Sequence, residues 1–161
     1  MSNSSDGKVR YALGLFVRVR DLESAVREIG AARLPLDQVK VIAPPEQSGS
    51  DHRTWSECGS FLGVDTWMAS EASGPCPWNF APVHIARAPA DGGGFSKRDV
   101  IPDFHRWAQE RHAQHLDRHL RSGGAIAVVR VRTDAEERAV SSTLLRHATA
   151  GVQTHEVSRH G

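Results

Sequence analysis

The chain has 161 residues and carries 20 lysines and arginines against 19 aspartates and glutamates, a net charge of +1. So even a balance gives no electrostatic case for binding nucleic acid or a membrane surface. The length fits one domain, or one domain with a large insertion, that buries a core without disulfides or a structural metal.

Residues 1–8 are polar and read as a disordered tail without the apolar stretch of a signal peptide. No run approaches the roughly 18 apolar residues of a membrane span, so a cytoplasmic protein is expected. From residue 9 the pattern has period two. Val9, Tyr11, Leu13, Leu15, Val17 and Val19 share one side, and Arg10, Arg18 and Arg20 the other, which predicts a strand with one buried face. Asp21 then suits a helix N-cap. Leu22, Ala25, Val26 and Ile29 form an apolar stripe, and Leu34-Pro35 ends the helix. Val39, Val41 and Ile42 predict a second strand, stopped by Pro44-Pro45.

The segment from about 44 to 100 is different. It holds six prolines, Gly92-Gly93-Gly94, both cysteines (Cys58 and Cys76) and three tryptophans, Trp55, Trp67 and Trp78. It reads as a long, mostly irregular insertion. Thr54 with Glu57 could cap a short helix there, and Val83-His84-Ile85 could form an edge strand. Three tryptophans are too many for a disordered linker, so the insertion packs on something. They suit either a platform for a protein partner or a small satellite core.

Asp103 to Arg121 predicts a long helix closed by Gly123-Gly124. Ala125 to Arg132 is a strand, and Thr133 with Glu136 opens a helix that runs to about His147. Val152 to Val157 is the last strand. Two strand–helix–strand units flanking an insertion predict a single α+β domain over residues 9–161. Its expected form is a ferredoxin-like antiparallel sheet with helices on one face.

The residues also carry a family resemblance. The opening Leu13-Gly14-Leu15-Phe16-Val17 with Val39-Lys40-Val41-Ile42 resembles the bacterial general stress protein 17M-like (YflT-like) group. So does the closing Leu120-Arg121-Ser122-Gly123-Gly124-Ala125-Ile126-Ala127-Val128, followed by Leu144-Leu145-Arg146-His147. The resemblance covers about 90 residues in two terminal pieces, and its motifs are structural rather than catalytic. It implies a stress-response protein on a ferredoxin-like framework. The chain departs from the group between the two pieces. There the polar insertion replaces the glycine-zipper, membrane-like segment that the resemblance implies.

One constellation carries chemistry. His105, His112, His115 and His119 are four of nine histidines, and on a helix they fall within an arc of roughly 80°. Imidazole is a common ligand for zinc, copper, nickel and iron, haem iron included. Three histidines along one helix need a further ligand to close a shell. His84, Cys58 or Cys76 could supply it, as could a second copy in a homo-oligomer. The same stripe also suits a packed helix or subunit interface. Three functions follow. The first is a non-catalytic ligand-binding protein holding a transition metal or haem. The second is a regulatory module docking a partner through the tryptophans. The third is a small enzyme pairing a histidine with a cysteine or with Asp65 or Asp103. Neither a nucleophile elbow nor a dinucleotide fingerprint is present.

Overall fold

The computed structural model describes residues 8–34, 36–45, 54–73, 78–84, 113–148 and 150–158. Of the expected tail, residues 1–8, the first seven lie outside them, and Lys8 is the first residue of a strand rather than part of a tail.

The first strand, β1 (Lys8–Phe16), is buried on both sides from Tyr11 to Phe16. Its alternation continues into Val17 and Val19 in the sequence but not in the fold. Val17 is 58% exposed, and Val19 already opens α1 (Val19–Ala31) behind Arg18 as N-cap. Leu22, Ala25, Val26 and Ile29 are the buried stripe of α1, as their spacing predicts. A 3-10 turn (Leu36–Gln38) leads into β2 (Val39–Ala43), buried along its whole length.

The insertion is not irregular throughout. It contains α2 (Trp55–Leu62), β3 (Asp65–Glu71) and β4 (Trp78–His84). Thr54 caps α2 in a reciprocal box. Its hydroxyl accepts from the Glu57 amide at 3.2 Å, and the Glu57 carboxylate accepts from the Thr54 amide at 3.2 Å. Thr54→Ala removes the acceptor for the Glu57 amide. It should lower stability by about 1 kcal/mol in urea unfolding, whereas Thr54→Ser should leave the midpoint almost unchanged. The chain then continues through α3 (Ala113–Arg121), β5 (Ala125–Val131), α4 (Asp134–His147) and β6 (Gly151–Ser158).

The six strands form one sheet in the order β4-β3-β2-β5-β1-β6. β1 lies antiparallel between β5 and β6, and β5 lies antiparallel between β1 and β2. β3 pairs with β2 in parallel, and β4 closes the edge antiparallel to β3. The sheet is therefore mixed, not antiparallel. The insertion adds β3 to β2 through the crossover helix α2, and a crossover returns the chain in the same direction.

Helices lie on both faces, not one. On the first face, residues of α1, α2 and α4 pack with Ala12, Phe16, Val39, Val41, Ala127, Val129 and Val131. On the second face, Leu116 and Leu120 of α3 pack with Leu13, Leu15, Ile42, Ile126, Val128 and the Trp67 and Trp78 rings. Residues with opposite parity on each strand serve the two cores, as the pleat requires.

Candidate functional site

The described part of the histidine helix is α3, and it is a fixed element. Asp117 and Arg121 pair at i,i+4, with Nε to carboxylate at 2.8 Å. Arg121 also pairs with Glu71 at the end of β3, and its guanidinium lies 5.1 Å from the centre of the Trp78 ring. The helix ends in a Schellman turn: the Gly123 amide donates to the Leu120 carbonyl at 3.1 Å, and the Gly124 amide to that of His119 at 3.1 Å. Gly123 holds φ at +91°, which favours glycine. The Trp55 indole donates to the Gly123 carbonyl at 3.0 Å, tying α2 to the same turn.

His119 is 8% exposed, and its Nε2 lies 3.0 Å from the Ala125 carbonyl. With that carbonyl as acceptor, Nε2 carries the proton. Its ring covers Gly124, where a β-carbon would stand 2.3 Å from the ring's Cε1 and 2.4 Å from Nε2. Burial pushes the His119 pKa below the usual histidine value. The nearby His115 pushes in the same direction, while hydrogen bonding to the backbone at Ala125 and Phe16 opposes them. His115, one turn earlier, is exposed. His105 and His112 lie outside the described residues, so the four-imidazole stripe is represented by two rings with opposite situations.

The expected additional ligands are not gathered around these rings. Cys58 is buried on α2 in the core of the opposite sheet face. His84 is half-buried at the end of β4 remote from Trp78, the residue that Arg121 covers. Cys76 lies outside the described residues. Among the described residues, no three His, Cys, Asp or Glu side chains are placed to share a metal ion.

The tryptophans do not form one platform. Trp67 and Trp78 are buried in the core under α3, and Trp55 packs half-buried against the core of the other face. They weld the insertion to the sheet.

One group was not legible as a site. Lys40, the second residue of β2, is 3% exposed and pairs with Asp65, opposite it on β3, whose side chain is 13% exposed. The signal was the lysine inside Val39-Lys40-Val41, one of only three lysines in the chain.

Comparison with protein-family models, with curated proteins and with solved structures finds no match to this chain.

Proposed function

We propose that this chain is a non-catalytic ligand-binding protein of the stress-response type, built on a ferredoxin-like framework. The strands β6-β1-β5-β2 are antiparallel neighbours, and α1 and α4 connect them on one face. That arrangement supports a ferredoxin-like core widened by β3 and β4. It also accounts for the resemblance to the general stress protein 17M-like group, whose two pieces are β1-α1-β2 and the stretch from the end of α3 to α4. Among the described residues, no helix is long and apolar enough to cross a membrane.

The ligand is a transition metal or haem, and the histidine helix carries it. The supporting observation is the division of labour on α3. His119 holds the Ala125 carbonyl inside the fold, while His115 stands exposed on the same helix. His119 is therefore the anchor and His115 a free ligand, with His112 three residues before it on the same stripe. Two imidazoles leave a tetrahedral shell open. A second copy of the chain supplies the remaining ligands, making the loaded protein a homo-oligomer.

The test is elemental analysis and an absorption spectrum of untagged protein, with its mass in solution measured with and without chelator. Loaded protein should lose its metal or haem, and its assembly, when His112 and His115 are both changed to alanine. His119→Gln should keep them. Protein that takes up neither metal nor haem at any loading ends this reading.

A further inference from the structure

We draw no further inference here: the strongest candidate, the outer edge of β6, which ends the sheet among the described residues and has neither proline nor lysine to block a pairing strand, carries nothing because nothing in the structure shows what covers it.

Discussion

Asp65→Ala should destabilise the protein by about 3–5 kcal/mol, among the largest effects of any single side-chain truncation in the sheet. The reason is where its partner lies. Lys40 is 3% exposed near the start of β2, and Asp65 faces it across the parallel joint with β3. Removing the carboxylate takes this ion pair away from an ammonium that stays buried. A loss of that size is a large part of the 5–15 kcal/mol that typically separates folded from unfolded states. Lys40→Met should cost less, because Asp65 is 13% exposed on its own side chain and can be rehydrated. Combining Lys40→Met with Asp65→Leu should recover most of the loss, since a well-packed apolar pair often replaces a buried ion pair without penalty. Urea unfolding of the three variants decides it. Asp65→Ala within about 1 kcal/mol of the parent would mean that water already reaches Lys40.

The joint that Lys40 and Asp65 span is also where the sequence was least legible. Periodicity reports faces, and it placed Tyr11, Leu13 and Leu15 together on one face of β1. It could not report that Ala12, Gly14 and Phe16 would also be covered. That follows from β1 lying in the interior of the sheet between β5 and β6, with helices above and below. Nor does a short apolar run carry its own direction. The alternation of Trp67 and Ala69 is present in the insertion, but proline and glycine on either side masked it as loop. Its parallel alliance with β2 comes from the crossover through α2, whose Thr54–Glu57 box was readable.

The histidine stripe shows how far helical spacing can be trusted. Leu116 and Leu120 mark the centre of the buried side of α3. At 100° per residue His119 stands roughly 80° from that centre and His115 roughly 120°. The first angle is the border of a buried face, where a ring can fold inward and reach a carbonyl. The second is outside it. A stripe roughly 80° wide therefore straddled the boundary, and two similar positions in the sequence, His115 and His119, hide two different environments. What decided His119 was the Schellman turn after the helix, which carries Ala125 back within reach of the ring. Gly123-Gly124 announced a helix stop, but not that the second glycine leaves room for an imidazole.

That fit makes His119 the source of the second large effect, and gives it a pH signature. Gly124→Ala would set a methyl group 2.3–2.4 Å from the ring's Cε1 and Nε2. The ring must move out, the bond to Ala125 is lost, and the cost should be about 1–3 kcal/mol. His119 is also buried in its neutral form, with its pKa below the usual histidine value. The unfolded chain, whose histidines titrate near about 6.5, therefore takes up the proton first. Between that value and the lower folded one, the unfolded state binds more protons, so stability falls as pH falls. The contribution is intact above the unfolded value and is lost as pH drops through the folded one. Glu28 acts in a lower window. The hydrogen bond from His147 holds its carboxyl below the ordinary range, so its contribution survives until the carboxylates protonate. His119→Gln keeps a neutral donor for the Ala125 carbonyl but does not titrate. Its unfolding midpoint should stay nearly flat from neutral pH to just above the carboxylate range, while that of the parent declines. Parallel profiles for the two proteins would mean that His119 takes up its proton as readily in the fold as in the unfolded chain, and the anchor role assigned to it would fail.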